Sequence, residues 1–169
     1  MTAHMILTEG IVLCILFTSA VLASAKNPLD SVYDLPEPIV NRCLELGLIN
    51  ETKTITSKET KLKKLAAAVL IMVVLALCLR YVNHVKTFMH GFLVSYLVWL
   101  IVDWYDCFIL DWILVCNTTL FMIPGTEDLT SSWKDYKFHF AGSCKGMLIG
   151  LPVCLMAGAM VKLLALIAG

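Results

Sequence analysis

Between Gly91 and Cys116 the chain reads GFLVSYLVWLIVDWYDCFILDWILVC, an apolar stretch long enough to cross a bilayer that nevertheless carries Asp103, Asp106 and Asp111. An Asp at the centre of a membrane helix costs about 2.5–3.5 kcal/mol on insertion, while each Leu, Ile, Val or Phe returns only about 0.3–0.6 kcal/mol. These carboxylates therefore roughly cancel the apolar residues around them. Such a helix does not sit alone in lipid. It needs neighbours that shelter, pair or neutralise its acids.

Composition agrees with a membrane chain. Hydrophobic residues make up 59% and charged residues 15% of the 169, against roughly 45–50% and 25% in soluble domains. Thirteen basic and thirteen acidic residues balance to zero, so no bulk charge attracts nucleic acid. The seven Cys include no CxxC pair and mostly lie in apolar segments. They read as small packing residues, not as a disulfide framework or zinc ribbon.

Hydropathy divides the chain into a single membrane domain, 1–169, with spans at about 5–25, 62–82, 91–116 and 143–167. A polar loop, 26–61, and a re-entering loop, 117–142, connect them. The expected fold is an all-α integral membrane protein, a four-transmembrane-helix bundle with short interfacial helices in the loops. Ala23-Ser24-Ala25 resembles a cleavage site, but no Lys or Arg precedes the first apolar run, so 5–25 is expected to be a span. Glu9 lies one turn inside it, either as a buried acid that handles protons or cations or as a residue reaching the headgroups.

Ten of the thirteen Lys and Arg fall in or beside the two long loops. The positive-inside rule then puts both termini outside and both loops in the cytoplasm, as in a bacterial cytoplasmic membrane. Lys58, Lys61, Lys63 and Lys64 at the mouth of the second span would attract anionic lipid. In the first loop, Pro36 and Pro38 start a short amphipathic helix bearing Ile39, Val40, Cys43, Leu44 and Leu46, which Gly47 stops.

At roughly 100° per residue, Tyr96, Trp99, Asp103, Asp106, Cys107 and Asp111 share one face of the third span within about 140°. Leu93, Ile101, Phe108 and Val115 form the opposite, lipid-compatible face. Asp103 and Asp106, at i and i+3, have Cβ atoms about 5–6 Å apart. Two charges so close repel unless one is protonated or a cation lies between them. Lys145, at the start of the fourth span, supplies a counter-ion for Asp106 or Asp111, which would need no ligand. The alternative recruits Glu127, Asp128 and His139 from the second loop to Asp103, Asp106 and Asp111, a set suited to Mg²⁺, Mn²⁺ or a di-metal site, although its spacing is not diagnostic.

The second loop has local logic of its own. Pro124-Gly125 fits a type II turn, and Thr126 reads as an N-cap with Glu127 and Asp128 in the first helical turn. Trp133, Tyr136, Phe138 and Phe140, interleaved with Lys134, Lys137 and His139, read as an interfacial belt. Gly142, Gly146 and Gly150 form a small-residue stripe that admits another helix, from this chain or a partner. Neither GxSxG nor a P-loop occurs, and no paired mid-membrane His points to haem.

DWYDCFILDW at 103–112, with IPGTEDL and DYKFHFAGSCKG in the following loop, resembles small uncharacterised bacterial multipass membrane proteins. That resemblance implies a multipass fold and transfers no activity. A Glu in the first of four spans also resembles the small multidrug resistance transporters. The long first loop and the three Asp of the third span depart from that pattern.

Three functional classes stay open. The leading expectation is binding or transport of a cation, proton or cationic group at Asp103, Asp106 and Asp111, with Lys145 and His139. The alternative is a membrane-embedded enzyme, metal-dependent or not, acting on a lipid or other amphiphile. The third is a non-catalytic assembly subunit that uses the glycine face.

Overall fold

A computed structural model of the chain describes residues 2–50 and 58–167, and every regular element among them is helical. Helix α1 spans Thr2–Ser24; a 3-10 turn, Pro28–Asp34, and α2, Glu37–Glu45, follow in the first loop. Helix α3, Lys58–Leu77, continues as a π-turn over Cys78–Val82. Helix α4, Phe88–Tyr105, continues as a long π-helical segment, Asp106–Val115. Helix α5, Thr130–Trp133, and α6, Tyr136–Ile167, complete the chain.

Three of these segments are long and apolar enough to cross a membrane: Ile6–Ser24, Phe88–Val115 and Thr130–Ile167. The apolar helical stretch Val69–Val82 is shorter. The last long helix starts at Tyr136, not near Ser143, so the second half of the expected re-entering loop is helix. Asp135 explains the earlier start, because its Oδ1 accepts the Phe138 N–H at 2.9 Å and caps the first turn.

Helix α4 packs along α6, α1 packs against α4, and α3 packs against α6. The α4–α6 contact is close because glycines face it. Gly91 lies against Val161 and Gly158, Gly158 against the Phe88 and Phe92 backbone, and Gly150 against the Trp99 indole. Small residues let the two backbones approach where no hydrophobic drive exists between lipid-solvated helices. The bundle core gathers Ala76, Leu79, Val94, Val98 and Val161, with Ile6 and Leu13 of α1 packed on it. A side-chain hydrogen bond of 2.8 Å between Thr18 and Tyr105 joins α1 to α4. Leu93 and Phe108 remain 48% and 41% exposed, whereas Ile101 of the same expected face packs against Gly10 of α1.

A second apolar cluster lies where the two long loops meet. Val32, Ile39 and Cys43 of the first loop pack with Phe121, Ile123 and Trp133 of the second. Helix α2 ends as the sequence predicts: Leu48 N–H reaches Cys43 O at 2.9 Å, Gly47 N–H reaches Leu44 O at 3.0 Å, and Gly47 has φ +68°. That is a Schellman motif, which needs the left-handed residue glycine supplies. Burial in this cluster raises the Cys43 thiol pKa. The Arg42 guanidinium forms a fork on Asp128, with both contacts at 3.0 Å, and also reaches Gly125 O at 3.3 Å. Hydrogen bonding to Arg42 lowers the Asp128 carboxyl pKa below its ordinary value.

Two local expectations are corrected in this cap. The Pro124-Gly125 turn is type II, with Gly125 at φ +89° and Thr126 N–H on Ile123 O at 3.1 Å. Thr126, however, caps no helix. It is fully buried; its hydroxyl donates to Ile123 O at 2.7 Å and accepts the Trp133 indole N–H at 3.1 Å. The aromatic belt also divides. Trp133 is only 4% exposed and belongs to the cap core, whereas Tyr136 and Phe140 stay exposed, Tyr136 meeting Trp112 edge to face and Phe140 lying tilted against Trp104. The indole needed a polar partner once buried, and Thr126 provides it.

Candidate functional site

A cleft of about 610 Å³ opens between the bundle and its cap. The C-terminal end of α1 supplies Phe17, Val21 and Ser24, and the 3-10 turn supplies Ser31, Tyr33 and Asp34. The helical segment Phe88–Val115 contributes Asp103, Asp106 and Asp111, and the start of α6 contributes His139, Ser143 and Lys145. The three Asp, His139 and Lys145 expected to act together thus line one space. Asp34 joins them from a loop that carries no readable signal. The 3-10 turn that carries it packs against α1 and α2.

Asp106 and Asp111 share the cleft for a backbone reason. From Asp106 onward the helix is π-helical, and the Cys116 N–H donates to Asp111 O, five residues back. Residues five apart then stack on one face, whereas in an α-helix they would diverge by roughly 140°. The wider winding carries Asp111 back over Asp106. It also turns Val115 inward: this residue, expected on the lipid face, lines the cleft and packs on the cap cluster.

Each acid has a different environment. Asp111 Oδ2 lies 3.0 Å from His139 Nδ1, with the imidazole 7% exposed. The structural ion pair expected for Lys145 is therefore taken by His139. Its early position on α6 directs it inward, in place of the interfacial role its aromatic neighbours implied. Lys145 lines the cleft but pairs with no carboxylate among the described residues. Asp103 packs on Gly146, where any side chain would collide with Oδ1, and its Oδ2 is buried without a hydrogen-bond partner among the described residues. Trp99 fixes the same contact by donating its indole N–H to Gly146 O at 3.2 Å. Gly146 and Gly150 thus receive α4 of the same chain, while Gly142 faces the cleft with no atom within 4 Å of a would-be Cβ.

Glu127 does not join this group. It is exposed, and its Oε2 accepts the Gly125 N–H at 2.9 Å within the turn. Among the described residues no three His, Cys, Asp or Glu side chains are grouped to hold a metal ion. The donor set of Asp103, Asp106, Asp111, Glu127 and His139 is not assembled, because Glu127 is held in the cap. The side chains of Lys58, Lys61, Lys63 and Lys64 lie outside the described residues. Glu9, at the other end of the bundle, does not reach outward; its Oε1 accepts from Asn83 in the turn before α4.

Among the described residues the cleft places Asp103, Asp106 and Asp111 beside Lys145 and His139, an arrangement that attracts positive charge. No family model, characterised protein or solved structure matches the chain.

Proposed function

We propose that this chain is a multipass membrane protein that binds or transports a cation, a proton or a cationic group at the carboxylates of span three. One observation carries the reading: Asp103, Asp106 and Asp111 line one cleft of about 610 Å³ with Lys145, which pairs with no carboxylate among the described residues. Half-buried carboxylates without enough internal counter-charge are costly. A bound cation or proton relieves that cost. Asp103 and Asp106 are the binding groups, Lys145 is the internal counter-ion, and the Asp111–His139 pair exchanges protons with the site.

In this reading the chain crosses the bilayer four times. The helix from Lys58 through Val82 supplies the fourth span, since Leu75, Ala76 and Leu79 already belong to the bundle core. Both termini face outward and the cap faces the cytoplasm, by the distribution of Lys and Arg. Asp103→Asn and Asp106→Asn should each weaken binding of tetramethylammonium to protein in lipid nanodiscs while leaving membrane insertion intact. Variants that bind as the parent does would remove the proposal.

A second reading, a membrane-embedded enzyme acting on a lipid or other amphiphile, rests on the same Asp111–His139 pair. A carboxylate that orients an imidazole is the usual setting of a general base. His139→Gln separates the two readings: it abolishes turnover in an enzyme but spares equilibrium cation binding. Stoichiometric Mn, Zn or Fe in the purified protein, lost with a chelator, would favour the enzyme. The assembly reading predicts instead that Gly146→Leu abolishes a complex while the Asp variants are silent.

A further inference from the structure

The carboxylates of span three face two spaces. Beside the polar cleft lies a second hollow of about 410 Å³, bounded by Leu16 and Ala20 of α1, Ile71 and Leu75 of α3, and Val98 and Val102 of α4. Among its described lining residues only Asp103 and Asp106 are charged, and both also line the polar cleft. Phe17 borders both spaces, and the Trp99 indole borders the apolar one. Each volume lies within the roughly 300–1,000 Å³ range of small-molecule sites.

A small hydrated cation has no use for the second space. A ligand with a positive head and a hydrocarbon chain uses both: the head sits at Asp103 and Asp106, and the chain occupies the walls of α1, α3 and α4. The aromatic residues at the junction are of the type that holds quaternary ammonium over a ring face. An anionic headgroup would meet the same carboxylates and be repelled. A neutral lipid would leave them without counter-charge.

We infer that the ligand is a single-chain cationic amphiphile, held with its ammonium group at Asp103 and Asp106 and its chain in the apolar hollow between α1, α3 and α4. This rests on the cation-binding reading above and names the ligand class for that same site.

The test compares tetramethylammonium with decyltrimethylammonium on the full chain in nanodiscs. Each methylene withdrawn from water is worth about fourfold in affinity, so the decyl compound binds at least about tenfold tighter. Part of that gain is partition into lipid, and Ala20→Phe, which fills the hollow, removes this ambiguity. The variant should reduce the chain-dependent gain to the partition seen in protein-free nanodiscs and keep tetramethylammonium binding, which also reports that the site is folded. Val102→Phe repeats the test from a second helix should Ala20→Phe not fold. A folded variant that keeps the parent's full chain-dependent gain, beyond the partition into protein-free nanodiscs, overturns the amphiphile inference and leaves cation binding standing. Equal affinity of the two compounds in the parent does the same. Binding of neither compound in an Asp106-dependent manner overturns the underlying reading itself.

Discussion

The same substitution, Gly→Ala, should have opposite effects at two positions of α6. At Gly158 an added Cβ would lie 2.9 Å from both Phe88 O and Phe92 N. These are backbone atoms of α4 and cannot swing aside, so the two helices must separate locally. Overpacking of this kind costs about 1–3 kcal/mol, while Ala in place of Gly within a helix returns about 0.5–1 kcal/mol. The net expectation for Gly158→Ala is a loss of about 1–2 kcal/mol. At Gly142 no atom lies within 4 Å of the added Cβ, so only the helix term remains, a gain of about 0.5–1 kcal/mol. The two variants should therefore differ by roughly 2 kcal/mol, close to a thirtyfold difference in the unfolding equilibrium. Unfolding in mixed micelles with increasing sodium dodecyl sulfate, followed by tryptophan fluorescence, measures this difference. Equal midpoints for the two variants would refute the claim that α6 meets α4 through Gly158 and leaves Gly142 open.

Three further outcomes are expected. His139→Ala leaves Asp111 without its 3.0 Å partner and should cost about 1–3 kcal/mol in the same assay; a double-mutant cycle with Asp111→Asn showing no coupling would discount the pair. Thr126→Val removes the hydroxyl between Ile123 O and the Trp133 indole, with an expected loss of about 1–2 kcal/mol and a shift in tryptophan emission that Thr126→Ser does not produce. The Arg42–Asp128 tether should depend on acid pH. Because the Asp128 carboxyl is held below its ordinary 3.8, its contribution is complete above about pH 4 and disappears as pH falls through the lowered value. Cross-linking between positions 42 and 128 in the Arg42→Cys, Asp128→Cys variant should trap the loops together at neutral pH. In the parent, proteolysis of the cap by pepsin, normalised at each pH to an unfolded substrate, should accelerate as pH drops below 4, and Arg42→Gln should reduce that acceleration.

Much of the architecture could be read from residues alone. Apolar runs of span length, the α2 stop at Gly47, the type II turn at Pro124-Gly125 and the acidic face of span three all follow from local patterns. Each depends on the nearest few residues. The convergence of Asp103, Asp106 and Asp111 with Lys145 was legible too, because an acid in lipid must find shelter in its own bundle. The first-loop Asp34 was not, since nothing near it in sequence says where the 3-10 turn docks.

Tertiary structure decided the rest. Angular bookkeeping at 100° per residue assumes an α-helix, and the π-winding after Asp106 breaks that assumption, bringing Asp111 over Asp106 and turning Val115 inward. Whether His139 or Lys145 pairs with Asp111 depended on where α6 begins, and a cap by Asp135 set that start one turn before His139. Gly142, Gly146 and Gly150 are equivalent in sequence, yet one opens to the cleft, one cradles a carboxylate and one receives an indole. Periodicity assigns residues to a face of their own helix. What stands opposite that face is a property of the packed bundle, because close packing between helices, unlike burial along one, is settled by residues far apart in the chain.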